Sequence, residues 1–402
     1  MPPLEGRRLW FAGIGGAGLS GYAVLAKSWG ADVSGWDRTE TPYLVHVRAA
    51  GIPVEVSPEP VPPADAERVV STAFAGRVEG TSRAEFLAEL VSLAPSIVVA
   101  GAHGKTTTAA MLAFALDRLG RDPSFLVGGE VPQLGTNARA GSGWLVVEGD
   151  ESDRTIAALR PRIAVVTNVE LDHHTEFASE AEVRGLFERW LEGVPDVVRG
   201  SDLEPVDFQL AVPGEHNRRN AACALAALQA LGVSRDEGAG ALAEFRGVGR
   251  RFEARGEAGG VMLVDDYAHH PTEVAETLAA ARSLANGGRV LAFFQPHLFS
   301  RTIHLAHEFA SALAQADAAV VVEIYPAREE PWPGVSGKLV VDRLCERRPG
   351  MTVGWAETVE SGADIAATLA RPGDVLLTIG AGNVDAAVPL LLERLEMRTR
   401  LR

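Results

Sequence analysis

Gly101-Ala102-His103-Gly104-Lys105-Thr106-Thr107-Thr108 lies between an apolar run, residues 97–100, and a helix-forming stretch over 109–119. A strand that ends in a glycine-rich turn aims backbone N–H groups and a helix N-terminus at an anion. A lysine in such a turn reaches the outer phosphates, and the hydroxyl after it can hold Mg²⁺. The spacing therefore predicts a phosphate-binding loop of the short G-x-x-G-K-T form, with Val99 where the strict pattern has glycine. Composition sharpens this reading. The chain has three lysines, Lys27, Lys105 and Lys338, against thirty-five arginines, and one of the three falls where the motif requires it.

Upstream, Gly13-Ile14-Gly15-Gly16-Ala17-Gly18 matches G-x-G-x-x-G between an expected strand and an expected helix, and Asp37 closes the next strand. Glycines let the backbone approach a pyrophosphate, and the acid can accept bonds from a sugar or base. Alone, this motif favours a nicotinamide cofactor. The second loop downstream argues against a dehydrogenase, because hydride transfer has no need of a Lys-Thr phosphate cradle. Two phosphate sites suggest one for ATP and one for a nucleotide-linked substrate.

Short β-rich runs alternate with helical stretches, which predicts parallel sheets built from βα units. The alternation restarts three times, giving three α/β blocks: 1–94, 95–247 and 248–402. The first and last read as Rossmann-like and the middle as P-loop ATPase-like. Strands are expected at 8–14, 32–36 and 68–72, then at 144–147 and 163–167, then at 261–264, 290–294, 319–324, 352–355 and 375–379. A proline-rich crossing occupies 53–63. With 402 residues, 47% of them hydrophobic, there is material for two or three cores. A net charge of −15 argues against a nucleic-acid partner, since a phosphate backbone rewards a basic face. No run of about eighteen apolar residues occurs, and the start lacks a charged and apolar leader, so a soluble cytoplasmic protein with no membrane partner is expected. Cys223 and Cys345 are too few and too far apart for a disulfide framework or a zinc site.

The strand expected at 144–147 delivers Glu148 at its end, followed by Asp150, Glu151 and Asp153, and an acid there is the expected Mg²⁺ ligand. Seven of the ten histidines (His103, His173, His174, His216, His269, His270 and His297) sit in polar clusters that follow apolar strands or precede helices. Those positions are the sheet edges where ligands bind.

Taken in order, these segments resemble the Mur ligase family of peptidoglycan synthesis. The resemblance rests on residues 13–20 and 101–108, on Glu148-Gly149-Asp150-Glu151-Ser152-Asp153, and on Asp172-His173. It continues through Gly214-Glu215-His216-Asn217-Arg218-Arg219-Asn220 and residues 249–253, then residues 265–272, and Phe294-Gln295-Pro296-His297 with Arg301. It implies three domains that bind in turn a UDP-sugar, ATP with Mg²⁺, and an amino acid. Within the family, the match is to members that join L-alanine to the carboxylate of UDP-N-acetylmuramate through an acyl phosphate, as monomer or homodimer. The resemblance places Gly15, Gly16, Ala17, Gly18, Ser20, Asp37, Ser71, Thr136 and Asn137 at the UDP-sugar. At ATP it places Gly101, Ala102, His103, Gly104, Lys105, Thr106, Thr107, Asn217, Asn220, Arg251 and Asp266. Thr106, Glu148 and His173 would be the metal ligands, while Tyr267, His269, His297 and Arg301 would form the amino-acid pocket. Arg301 is suited to a bidentate grip on a carboxylate. Lys105, Glu148, His173, His269 and Arg301 are the catalytic candidates.

The sequence departs from the family pattern in four places. Ala102 replaces a usual threonine, Leu298 a usual arginine, and Asn383 a common aspartate. Only forty residues separate His173 from Gly214, so a shortened central domain is expected. Three other readings stay open: a ligase that recycles a ready-made peptide onto the same sugar, a non-catalytic nucleotide-binding protein, and, last, an NAD dehydrogenase.

Overall fold

The computed structural model describes residues 2–152, 154–172, 176–327 and 329–400. The first sheet contains β1 (Arg8–Ala12), β2 (Asp32–Asp37), β3 (Val54–Val56), β4 (Glu67–Val70) and β5 (Thr81–Ser82), in the order β3-β2-β1-β4-β5. Its pairs are all parallel. Strand order reverses at β1, so the glycine turn after β1 opens at a topological switch point, where ligands of such sheets bind.

The second sheet comprises β6 (Ser96–Ala100), β7 (Ser124–Val131), β8 (Thr136–Arg139), β9 (Leu145–Glu148), β10 (Ile163–Val166) and β11 (Asp196–Arg199), in the order β11-β10-β6-β9-β7-β8. The phosphate-loop strand β6 is central. All five of its residues are buried, as expected for a parallel strand covered on both faces. Helix Lys105–Arg118 starts directly after the loop, four residues before the expected helical stretch.

The third sheet contains β12 (Glu253–Ala258), β13 (Val261–Asp266), β14 (Val290–Phe294), β15 (Ala318–Val322), β16 (Thr352–Ala356) and β17 (Val375–Ile379), in the order β12-β13-β17-β14-β15-β16. Its two faces follow the period of two. Val290, Ala292 and Phe294 pack with Val264 and Phe309 on one side, while Leu291 and Phe293 pack with Ala363 and Leu391 on the other. Each such large side chain contributes roughly 1.5–3 kcal/mol by leaving water.

The alternation predicts parallel sheets built from βα units, and two pairs differ. β7 with β8 and β12 with β13 are antiparallel. In each pair one strand lacks the apolar run of a buried strand: β8 is Thr-Asn-Ala-Arg, and β12, Glu-Ala-Arg-Gly-Glu-Ala, is exposed over most of its length. The proline-rich stretch also holds a strand, β3, at the sheet edge where neighbouring prolines are tolerated.

By contacts, the chain forms two compact units. One joins Met1–Glu170, Glu180–Ala211 and Arg219–Arg246; the other joins Leu171–Ser179, Val212–Arg218 and Gly247–Arg402. The first two sheets belong to the first unit and the third sheet to the second. Among the described residues, no helix is long and apolar enough to cross a membrane.

Candidate active site

In the first unit, the phosphate loop is built as its sequence requires. Gly101 (φ +136°) and Gly104 (φ +77°) have left-handed backbones, and a Cβ at either position would come within 2.2 Å of Thr167 Oγ1 or Asn220 Oδ1 respectively. Only glycine fits there. The loop is braced from behind. Asn168 Oδ1 accepts from the His103 N–H at 2.9 Å, while Thr167 Oγ1 donates to the His103 carbonyl at 2.6 Å and the Asn168 amide donates to it at 3.0 Å. The His103 ring is buried, 3.2 Å from a Glu170 oxygen, and so serves this brace.

Lys105 Nζ donates to the Gly101 carbonyl at 2.5 Å and lies 3.1 Å from Glu151, which is only 3% exposed. Burial disfavours its charge, but the carboxylates of Glu151, Asp150 and Glu148 outweigh burial and hold its pKa above the ordinary lysine value. The next residue, Thr106, donates its hydroxyl to Glu148 Oε2 at 2.9 Å, and Glu148 Oε1 accepts from the Gly128 N–H at 2.6 Å. A threonine hydroxyl and a strand-end carboxylate in contact, next to a phosphate cradle, form a hard-oxygen donor set that fits Mg²⁺. His173, the third expected metal ligand, lies outside the described residues. Thr107 is buried one position further along the helix. Asn220 reaches the loop beside Gly104, which places it at the phosphate end.

The first glycine loop folds around Asp37. Its Oδ2 accepts from the Gly15 N–H at 2.8 Å, and its Oδ1 accepts from the Arg38 N–H at 2.8 Å. Both oxygens accept from backbone, so Asp37 holds the loop in place. Thr41 Oγ1 donates to the Gly15 carbonyl at 2.8 Å. Ser71 packs against Gly13, where a Cβ would come 2.7 Å from its hydroxyl. Ser20 is buried in helix Ala17–Ser28, and its N–H bonds the Gly16 carbonyl at 3.0 Å. A cavity of about 260 Å³ joins this region to the phosphate loop; Gly18, Tyr22 and Arg83 line it together with Lys105, Asn137 and Glu148. Asn137 also donates to the Val127 carbonyl at 3.3 Å, and Thr136 Oγ1 to the Ala138 carbonyl at 3.0 Å.

In the second unit, the carboxyl ends of β13, β14, β15 and β17 converge. Asp266, at the end of β13, is buried and accepts from the Phe252 and Ala268 N–H groups at 2.8 and 2.7 Å. Burial raises its pKa to about 6, against the pull of Arg251. Arg250 (φ +58°) and Phe252 (φ +51°) are left-handed on either side of Arg251. This strained zigzag places both guanidinium groups over the Tyr267 ring, 5.1 and 4.9 Å from its centroid. The Asn217 amide donates to the Pro213 carbonyl at 2.7 Å, which ties down the turn before helix Glu215–Ala230.

His269 Nδ1 sits 3.0 Å from the Tyr267 carbonyl, so it is the protonated nitrogen and Nε2 carries the lone pair. Burial lowers its pKa to about 4, so the ring is neutral at pH 7. His297 follows, with ring centroids 5.9 Å apart, and it stacks on Tyr325 at 5.8 Å and 11°. Arg301 is not open to solvent as the expected carboxylate grip. Its Nε and Nη2 donate to the two oxygens of Asp172, both at 3.0 Å, and Nη1 lies 3.1 Å from His297 Nδ1.

Sequence reasoning missed Glu151 as the lysine's partner, Arg83 and Tyr22 on the cavity wall, Tyr325 under His297, and Asp172 on Arg301. Glu151 stood next to the expected metal acid and offered a signal. The others depend on contacts between blocks or strand ends far apart in the chain.

Three family models match the chain: "Mur ligase family, catalytic domain" over residues 8–94, "Mur ligase middle domain" over 99–196, and "Mur ligase, glutamate ligase domain" over 250–382. UDP-N-acetylmuramate--L-alanine ligase of Streptomyces avermitilis is 37% identical over 450 aligned positions, covering 96% of this chain and 97% of that protein. The chain has 402 residues, so the alignment of 450 positions passes over some that it lacks. The crystal structure of UDP-N-acetylmuramate-alanine ligase MurC from Thermotoga maritima superposes with a TM-score of 0.80 at 26% identity, covering 97% of this chain and 99% of that one. A murein peptide ligase from Psychrobacter arcticus shares the fold, with a TM-score of 0.66 at 24% identity and the same two coverages. The glycine loop with Lys105 and Thr106 and the cavity it shares with the first glycine loop, with three family models and relatives matched along nearly the whole chain, have one explanation: the protein belongs to the Mur ligase family.

Proposed function

We propose that the protein is an ATP-dependent ligase that joins L-alanine to the carboxylate of UDP-N-acetylmuramate, with Mg²⁺, in the cytoplasmic assembly of a peptidoglycan precursor. One observation carries the reading. A single cavity is lined both by residues that follow the first glycine loop and by Lys105 and Glu148, so a sugar carboxylate held by one can meet the γ-phosphate held by the other.

A carboxylate is a poor acyl donor, and its phosphorylation supplies a leaving group for the amine to displace. Lys105, held charged by its carboxylate neighbours, would exchange Glu151 for the β and γ phosphates. Thr106 and Glu148 would hold Mg²⁺, which neutralises charge on the transferring oxygens when bound. Arg251 and Asp266 would serve the nucleotide, Asn217 and Asn220 likewise. His269, neutral with Nε2 as acceptor, would receive a hydrogen bond from the amino group of the amino acid and orient it, and Tyr267, His297 and Arg301 would frame the amino acid. Identity to relatives named as L-alanine ligases favours alanine over a peptide acceptor.

The test is phosphate release by purified protein given ATP, Mg²⁺ and UDP-N-acetylmuramate, with L-alanine, glycine, L-serine or a tripeptide as amine. Alanine-dependent release with formation of the amide supports the reading. Tight binding of both nucleotides without release would leave a binding protein instead.

A further inference from the structure

Arg301 is anchored in helix Phe299–Leu313 and only 4% exposed, while Asp172 is 6% exposed and lies in irregular chain beyond β10. Their contact is side-on and bidentate, Nε and Nη2 to Oδ1 and Oδ2, both at 3.0 Å. That is the geometry with which a guanidinium receives any free carboxylate. The remaining fork is not open either, because Nη1 lies 3.1 Å from His297 Nδ1 and the His297 ring is stacked on Tyr325. Arginine has only donors, so His297 must accept there. A second carboxylate therefore gains two parallel bonds to Arg301 only after Asp172 leaves.

Resting on the amide-ligase reading above, we propose that Asp172 is an internal stand-in for the amino-acid carboxylate, a specificity-determining residue that occupies Arg301 until a substrate carboxylate displaces it. The arginine is fixed by its helix, whereas the aspartate sits on a loop, so the aspartate is the partner that moves. An amine lacking a carboxylate has nothing to exchange for it. Selection for amino acids over simple amines thus follows from competition for one fork, and the apparent affinity for the substrate is lowered by the fraction of molecules in which Asp172 holds it.

Asp172→Asn keeps the shape but replaces a charge-assisted pair with a neutral acceptor, which shifts that fraction by about five- to tenfold. The expected result is a KM for L-alanine lower by that factor, with the KM values for ATP and UDP-N-acetylmuramate unchanged. L-Alaninamide, whose carboxylate is masked, should show no such gain. Calorimetric titration of propionate, a carboxylate without an amine, should show the same tightening in Asp172→Asn and loss of binding in Arg301→Lys. Thermal melts establish that each variant is folded, and Asp172→Ser serves should the asparagine variant fail to fold. If Asp172 only props Arg301 in place, both variants will bind propionate and alanine more weakly than the wild type or equally well, and the proposal falls. The titration needs no turnover: absence of alanine-dependent phosphate release in the wild type would overturn the ligase reading, while propionate binding still decides the role of Asp172.

Discussion

The Thr106 hydroxyl donates to the Glu148 carboxylate at 2.9 Å, joining the first turn of the phosphate-loop helix to the end of β9. Two oxygen ligands for one hard cation are thus held side by side, with Gly128 N–H fixing the carboxylate from its other oxygen. Thr106→Val and Glu148→Gln are each expected to lower kcat about 10- to 100-fold and to raise the Mg²⁺ concentration needed for half-maximal rate, while Thr106→Ser retains most activity. Phosphate release titrated with Mg²⁺ checks this; an unchanged Mg²⁺ dependence in both variants would show that the pair does not hold the ion.

Lys105 is set apart from the other two lysines by its carboxylate neighbours. Lys105→Ala should abolish phosphate release and leave UDP-sugar affinity nearly intact, because the glycine loop after β1 is held by Asp37 and Thr41 and not by the lysine. Calorimetry with UDP-N-acetylmuramate beside a phosphate assay separates the two effects, and turnover comparable to wild type would refute the assignment.

A Cβ on Gly15 would lie 2.7 Å from Thr41 Oγ1 and 2.9 Å from Asp37 Oδ2. Gly15→Ala should therefore push the loop away from Asp37, weakening UDP-sugar binding at least about tenfold, since one lost charge-assisted bond exceeds 1.4 kcal/mol. ATP affinity should stay unchanged. Equal weakening for both nucleotides would point to general unfolding.

His269 has a folded-state pKa of about 4 against an ordinary 6.5. The folded protein thus binds fewer protons than the unfolded chain between those values. This contribution to stability is present above pH 6.5 and is lost as pH falls toward 4, up to about 3 kcal/mol. Asp266 works in the opposite sense: its pKa of about 6 lies above the ordinary 3.8, so its buried charge costs stability above pH 6 and is relieved below. The difference in urea stability between wild type and His269→Gln isolates the histidine and should shrink from pH 7 to pH 4.5. A difference that is flat over this range would mean that His269 titrates normally.

Arg250 binds Asp265, which is fully buried, at 3.1 Å, and donates to the carbonyls of Gly382 and Gly380 at 3.1 and 2.9 Å. Arg250→Met leaves that acid without its cation and releases the turn after β17. A loss of about 3 kcal/mol in stability is expected, as for other buried pairs broken on one side. Arg250→Lys should recover part of it, and chemical denaturation reads both. A cost under about 0.5 kcal/mol, the range of ordinary surface changes, would show that Asp265 is satisfied by Thr378 alone.

The glycines, the single lysine in a strand-helix turn and the strand-end acids were legible from the chain because each is a local requirement. A left-handed backbone at Gly101 and Gly104 and a cation within reach of phosphate depend on neighbours a few residues away. Strands such as β6 and β14 announced themselves by unbroken apolar runs, as fully covered parallel strands do. β8 and β12 did not, because edge strands in antiparallel pairs can be polar and exposed, and their partners across the sheet create them.

By itself, then, the sequence determined three α/β blocks, a phosphate loop with Lys105 and Thr106, and the residues that gather at each sheet's carboxyl edge. Tertiary structure alone decided how those residues are used. It gave Asp37 to the backbone of its own loop, Glu151 to Lys105, and Asp172 to Arg301, 129 positions apart. Pairings across such distances follow from which segments the fold of each unit brings together and from the cost of leaving a buried charge unmatched, and no local pattern of residues encodes either.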